Sequence, residues 1–211
     1  MTQLFLGGSF NPIHYAHLIC ARAAAEAVGA DGVVLVPAAL SPFKPGVAGM
    51  AAPADRLGMC RLAVQNDPFF SVCDIEILRP PPSFTFDTAT ELLAGGHATR
   101  RVVWLIGADI LPRLHHWHRI DELDRVVEFL VMNRAGRTID FSALHPTTVR
   151  LCHRFVEVPE IEISSTIIRE RIQLGRSIRH FTHQSVVDYI EQRRLYRADA
   201  IPLHSGDDLA R

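Results

Sequence analysis

The sequence predicts an α/β protein: a doubly wound parallel sheet with helices on both faces and a small helical portion near the C-terminal end. Three observations carry this reading. Short β-branched runs alternate with longer amphipathic stretches along the chain. Several of the short runs are apolar almost without interruption, as strands covered on both faces must be. Strand–helix–strand repetition with right-handed crossovers then winds a Rossmann-like sheet. At 211 residues, 48% of them hydrophobic and 21% charged, the chain can bury a full core without metals or disulfides.

The expected strands are Gln3 to Leu6, Val33 to Val36, Ser71 to Ile77, Val102 to Ile106, Val126 to Met132 and Arg154 to Val158. Helical patterns fill the intervals: His14 to Val28, Ala54 to Gln65, Phe84 to Ala94 and a stretch from Ile110 onward. Two further helices, Ser165 to Leu174 and Gln184 to Arg193, close the chain. The segment Ala38 to Pro53 holds three prolines and two glycines and is expected as a long loop, a class that serves as lids or binding loops or is disordered. A second loop, Asn133 to His153, has room for a short helix from Asp140. These elements predict one domain over residues 1–196, its helical part at about 164–196, with a mobile tail at 197–211.

Charge and composition exclude several classes. Twenty-two Lys and Arg against 23 Asp and Glu leave a formal charge of −1, with no basic face or run to hold nucleic acid or a membrane surface. No apolar stretch approaches the roughly 18 residues of a membrane span, and the N-terminus lacks the basic start and apolar length of a secretion signal. Cys20, Cys60, Cys73 and Cys152 stand singly among apolar neighbours. They read as core residues of a cytoplasmic protein.

The most informative segment runs from Gly7 to Leu18, GGSFNPIHYAHL, between the first strand and the first helix. In doubly wound sheets this turn holds phosphates: glycines admit close backbone approach, and successive N–H groups can point at an anion. His14 and His17, three residues apart at a helix N-terminus, can face one ligand and join the positive end of the helix dipole. A Gly-Gly turn alone is common, and a histidine at a helix start often caps or packs. The histidines lack a neighbouring Asp, Glu or Cys that would complete a metal-ligand set, so no metal site is expected in the protein itself.

The complete string resembles the (H/T)xGH nucleotidyltransferases, and among them the G-G-x-F-(D/N)-P-x-H-x-G-H-L form of the nicotinate-mononucleotide adenylyltransferases. Ile163 to Arg169 (ISSTIIR) is similar to the second signature of that family, and Leu105 to Asp109 with Trp117 and Glu122-Leu123 to its G-(A/Q)-D…W…EL block. Glu76, Arg79, Ser83, Thr85 and Asp87-Thr88 resemble its E-x-x-R…S-Y-T-x-D-T stretch, and Val131 to Gly136, Tyr189-Ile190 and Leu195-Tyr196 its later blocks. Departures are Ala16 for the Gly of HxGH, Phe84 for Tyr, Ala135 for Pro, and Thr182-His183 before the last helix where Pro is usual.

The resemblance implies transfer of the adenylyl group of ATP to nicotinate mononucleotide, giving nicotinate adenine dinucleotide and pyrophosphate in NAD biosynthesis. The attacking phosphate monoester is already ionised at neutral pH, so the reaction requires no general base. It requires clustered cations, helix N-termini and alignment of two polyanions. By the same resemblance His14, His17 and Arg169 are the expected catalytic groups, with His17 nearest the transition state. Gly7, Gly8, Ser9, Phe10, Lys44, Ile163, Ser164 and Thr166 are expected around ATP. Thr85, Gly107, Asp109, Trp117 and Arg134 are expected around the mononucleotide, Trp117 stacking on the pyridinium ring. Asp109 could instead cap the following helix, and Lys44 and Trp117 have ordinary surface and core readings. Mg²⁺ is expected to arrive with ATP, bound to phosphate oxygens and water. No nucleic-acid or membrane partner is expected, and a homodimer is open. The histidines of His115-His116-Trp117-His118 read as surface or packing residues.

Overall fold

The computed structural model describes residues 2–42, 49–98 and 100–197. Lys44, much of the expected loop and nearly all of the expected tail lie outside these residues. Six parallel strands form one sheet in the order β3-β2-β1-β4-β5-β6: β1 Gln3–Gly8, β2 Gly32–Pro37, β3 Phe70–Val72, β4 Val102–Gly107, β5 Val127–Arg134 and β6 Arg154–Val158. The chain winds outward from β1 to β3, then returns to place β4 on the other side of β1. Strand order therefore reverses between β1 and β4, and their carboxyl ends diverge into a crevice there.

Successive side chains on these strands face opposite layers. Leu4, Leu6, Val33, Leu35 and Leu105 pack under α1 (Tyr15–Ala27), α2 (Pro53–Val64) and α8 (Gln184–Gln192). Phe5, Val36, Trp104, Ile106 and Phe129 pack into the opposite layer with α4 (Thr85–Ala94) and α5 (Ile120–Val126). Burial on both faces explains the uninterrupted apolar runs. All four cysteines are free thiols; Cys60 and Cys152 are buried, Cys20 and Cys73 half-buried.

Two expectations need correction. The strand expected over Ser71 to Ile77 is confined to Phe70–Val72, and Ile75–Leu78 forms a helical turn, α3. As an edge strand β3 pairs only with β2, and the Ile77 and Leu78 N–H groups bond back to the Asp74 carbonyl at 2.8 and 3.1 Å. An alternating pattern such as SVCDIEI cannot by itself resist that local turn. The stretch after β4 is a 3-10 helix over Ala108–His116, because Pro112 lies inside it and removes an N–H from the α ladder. The loop after β5 holds a 3-10 turn, Phe141–Ala143, and α6, Pro146–Leu151. There Asp140 caps the turn, accepting the Ser142 N–H at 3.0 Å.

The segment from α7 (Ser165–Gln173) to α8 folds back against the turn that follows β1. Thr182, buried at 2% exposure, donates its hydroxyl to the Ile13 carbonyl at 2.8 Å, and the Tyr15 N–H donates to the Phe181 carbonyl at 3.1 Å. Position 182 thus uses a hydroxyl to tie the start of α1 to the C-terminal helices. Thr182→Val keeps the shape and removes the donor, so it should destabilise the fold by about 1–3 kcal/mol in urea unfolding; an unchanged midpoint would show that this bond contributes nothing.

Candidate active site

The turn from Gly7 to His14 is held mainly through its carbonyls. Arg169 Nη1 donates to the Asn11 carbonyl at 2.8 Å, Ser165 Oγ to the Pro12 carbonyl at 2.8 Å and Thr182 to that of Ile13. Asn11 Oδ1 accepts from the Ala51 N–H at 3.0 Å and from the Tyr196 hydroxyl at 2.8 Å. In a trans peptide the C=O and the next N–H point in opposite directions. Tying back the Pro12 and Ile13 carbonyls therefore turns the N–H groups of Ile13 and His14 away from the C-terminal helices. The His14 N–H donates to His17 Nδ1 at 3.3 Å. Nδ1 is then the acceptor, and the proton of the neutral ring sits on Nε2.

His14 is the N-cap of α1, with extended backbone at φ −151° and ψ 168°, and His17 is the third residue of the helix. Their rings stack at 3.7 Å with an interplanar angle of 23°. Phe10 presents its edge to His17 at 5.0 Å from a left-handed backbone, φ 43°, while its ring lies where a Cβ on Gly8 would fall, 3.1 Å away. Gly7 is required by the protein rather than by a ligand: a Cβ there would stand 2.4 Å from the Trp104 indole.

Burial corrects one expectation. His14 is 6% exposed, its Nδ1 has no hydrogen-bond partner among the described residues, and desolvation lowers its pKa to about 4. At neutral pH it is an N–H donor and not a cation. The positive charge near the turn comes from arginine. Arg169 lies on α7, which opens with Ser164 accepting the Ile167 N–H at 3.2 Å, and its Nη2 donates to Thr166 Oγ1 at 3.3 Å. Arg22, Arg79, Arg119 and Arg137 pair with carboxylates. Arg169 bonds a carbonyl and a hydroxyl, and among the described residues no carboxylate offsets its charge. His14, His17, Ser164, Thr166 and Arg169 thus gather around the N-termini of α1 and α7, with Ile163 just ahead of α7.

Beside this cluster, at the β1/β4 crevice, lies a cavity of about 480 Å³. Gly7, Gly8 and Ser9 form one wall and Trp104 to Gly107 another. Ser83, Phe84 and Thr85, at the start of α4, form a third, and Trp117 and His118 also line it. Phe84 and His118 stack at 4.2 Å, and Trp117 meets Phe129 edge-on at 5.8 Å. Of the residues expected around the mononucleotide, Thr85, Gly107 and Trp117 line the cavity; Asp109 does not line it and lies in the first turn after β4. Its carboxylate lies over Gly107, where a Cβ would fall 2.3 Å from Oδ1. Asp109 is not an N-cap, since that place belongs to Gly107. Arg134 is not brought to the cavity. It ends β5 and faces Glu160 at 3.8 Å, because β5 lies beyond β4 from the crevice.

Sequence reasoning passed over Trp104, buried at 3% exposure inside a strand pattern, and read His116 and His118, which line the cavity, as surface or packing residues. It placed Glu76 in a motif but gave it no site role; the residue is 5% exposed and lines the cavity. Burial pushes the Glu76 carboxyl up, against the hydrogen bonds from Thr88 and Ser83 and the nearby Arg79, which pull it down.

Comparisons with known proteins give the family and the fold. Residues 5–171 match the cytidylyltransferase-like family. The probable nicotinate-nucleotide adenylyltransferase of Roseiflexus sp. (strain RS-1) is 41% identical over 194 residues, covering 91% of this chain and 96% of that one. That of Geobacillus thermodenitrificans is 40% identical over 192 residues, covering 91% and 84%. A solved structure of Plasmodium falciparum nicotinic acid mononucleotide adenylyltransferase complexed with NaAD superposes with a TM-score of 0.73 at 19% identity, covering 93% of this chain and 98% of that one, and so shares the fold.

The depressed His14 pKa makes a pH prediction. The unfolded histidine, near 6.5, binds a proton that the folded one refuses until about pH 4. The neutral folded ring is favourable above pH 6.5, and stability falls as the pH drops from 6.5 towards 4, by about 3 kcal/mol in all. His14→Asn should flatten this part of the stability profile in urea titrations; an unchanged slope would show that His14 titrates normally.

With residues 5–171 matched and relatives about 40% identical over nearly the whole chain, the chain belongs to the cytidylyltransferase-like family and, within it, to the nicotinate-nucleotide adenylyltransferases.

Proposed function

We propose that this protein transfers the adenylyl group of ATP to nicotinate mononucleotide, giving nicotinate adenine dinucleotide and pyrophosphate in NAD biosynthesis. The observation that carries the reading is adjacency. A donor cluster suited to a triphosphate shares the Gly7–Ser9 turn with a flat-walled cavity suited to a pyridine ring.

ATP enters as its Mg²⁺ complex with its phosphates over the α1 and α7 N-termini. His17 directs Nε2–H at the α-phosphate, and His14 adds a neutral donor beside it. Arg169, with Ser164 and Thr166, takes the β- and γ-phosphates, where the orphan N–H groups of α7 add to the guanidinium. Ile163, Gly8 and Phe10 shape the ATP side of the turn, and Lys44 reaches the phosphates from the segment after β2.

The mononucleotide lies in the crevice. Trp117 stacks on its pyridinium, Thr85 and the α4 N-terminus face its carboxylate, and Asp109 accepts from ribose hydroxyls. An oxygen of its dianionic phosphate attacks the α-phosphorus in line. One P–O bond forms as the bond to the β-phosphate oxygen breaks, and pyrophosphate leaves with the electron pair. No proton moves, so the absence of a required base is a property of the nucleophile. The protein contributes alignment and fixed donors. Arg134, held by Glu160, is left out of the acceptor site. The four free thiols fit a cytoplasmic location.

Wild-type protein with Mg-ATP and nicotinate mononucleotide should release pyrophosphate, and absence of release with every pyridine mononucleotide would overturn the assignment. His17→Ala should lower kcat by about 10²–10³-fold while circular dichroism and the melting temperature stay close to wild type. Undiminished turnover would remove His17 from the mechanism.

A further inference from the structure

Two buried ionisable residues, Arg56 and Glu76, take no part in the scheme above. Arg56, on α2, is 1% exposed, and among the described residues no carboxylate pairs with it. Its guanidinium spends its donors on main-chain carbonyls: Ala51 from Nε at 3.1 Å, Ser9 and Ala38 from Nη1 at 2.7 and 2.6 Å, and Ala39 from Nη2 at 2.7 Å. It therefore clasps the turn after β1 to the turn after β2, and it does so from behind the cavity, which it does not line.

Glu76 supports the opposite wall. Its Oε1 accepts the Thr88 hydroxyl at 2.7 Å, and the Ser83 hydroxyl also bonds to it. Thr88 in turn accepts from Arg79 Nη2 at 2.8 Å, whose Nη1 reaches Glu91 at 2.9 Å. The two halves meet at one residue. Ala39 offers its carbonyl to Arg56 and its N–H to Ser83 Oγ at 3.0 Å. Ser83 is anchored a second time, its N–H donating to the Leu40 carbonyl at 2.9 Å. A continuous hydrogen-bonded path thus runs from the Ser9 carbonyl through Arg56, Ala39 and Ser83 to Glu76 and Thr88. Ser9, Ser83 and Glu76 all line the cavity.

The ends of this path are the two surfaces that must hold their spacing if a mononucleotide phosphate is to meet the α-phosphorus. A guanidinium has a rigid planar fork that a lysine lacks, and a buried network is unforgiving of a lost member. We infer that Arg56 and Glu76 are positioning residues acting as one unit, joined through Ala39 and Ser83, that set the distance between the Gly7–Phe10 turn and the Ser83–Thr85 wall. The inference rests on the acceptor reading given under Proposed function. Neither residue reacts; each acts through the backbone it holds.

The test uses a feature of this chain. Both of its tryptophans, Trp104 and Trp117, line the cavity, so intrinsic fluorescence reports on this site. Nicotinate mononucleotide is titrated into wild type, Arg56→Lys, Glu76→Gln and the double variant, with melting temperatures taken in parallel. Each single variant should weaken the mononucleotide Kd about 10-fold, and the double variant should lie within about 3-fold of the weaker single. Multiplied losses, near 100-fold, would mean independent residues, and a lower melting temperature with unchanged Kd would mean a purely structural role; either overturns the proposal. Should Arg56→Lys fail to fold, Ser83→Ala cuts the same path without touching a charge and takes its place in the cycle. A wild type that does not bind nicotinate mononucleotide would sink the acceptor reading instead. ATP, whose turn Arg56 holds through Ser9, is then the probe, and an Arg56→Lys Kd for ATP equal to wild type would overturn the pair.

Discussion

The orientation of a few peptide planes after β1 is the constraint on which the site depends. The carbonyls of Ser9, Asn11, Pro12 and Ile13 are each taken by a donor: Arg56, Arg169, Ser165 and Thr182. Three of those donors come from residues 165–182, more than 150 positions away in the chain. A backbone segment whose carbonyls are bound behind it has its Ile13 and His14 N–H groups turned to the other side. The His14 N–H then sets the His17 tautomer. The helical portion at the C-terminal end therefore shapes the candidate site, holding the turn after β1 from behind.

Charge is distributed in an unusual way around that segment. Two histidines first suggest a pair of cations, yet burial keeps His14 neutral, and its contribution is a fixed N–H. The formal charge is carried by arginines bonded to carbonyls and hydroxyls rather than to carboxylates. A guanidinium satisfied by neutral acceptors keeps its full charge available to an anion, whereas one paired with a carboxylate presents little net field. Hydrogen-bond geometry and positive potential can thus be supplied by the same side chain, which suits a reaction whose difficulty is bringing two polyanions together.

The cavity beside the turn obeys a different physics. It is walled by flat groups, Trp104, Trp117 and the stacked pair Phe84 and His118, and Gly7 is small because the Trp104 indole occupies the space of a side chain. Phe84 stacks on His118 at 4.2 Å. Aromatic walls give a ring a plane to rest on but fix little along that plane, so lateral positioning falls to the α4 N-terminus and to the network beneath Ser83.

The sequence alone determined the doubly wound architecture, because burial on both faces writes strands as apolar runs that local structure cannot disguise. It also determined the two ligand-facing signatures, since Gly7 to Leu18 and Ile163 to Arg169 each bring their chemistry together within a single turn. Only tertiary structure decided what depends on distant partners. SVCDIEI became a strand end and a helical turn because it lies at a sheet edge with one neighbour. Arg134, credible by its position in a motif, was carried past the crevice by the strand order. His14 lost its charge to burial. Arg56 is an ordinary helical arginine in the sequence and Glu76 one member of a motif without an assigned role; their enclosure is a property of three dimensions.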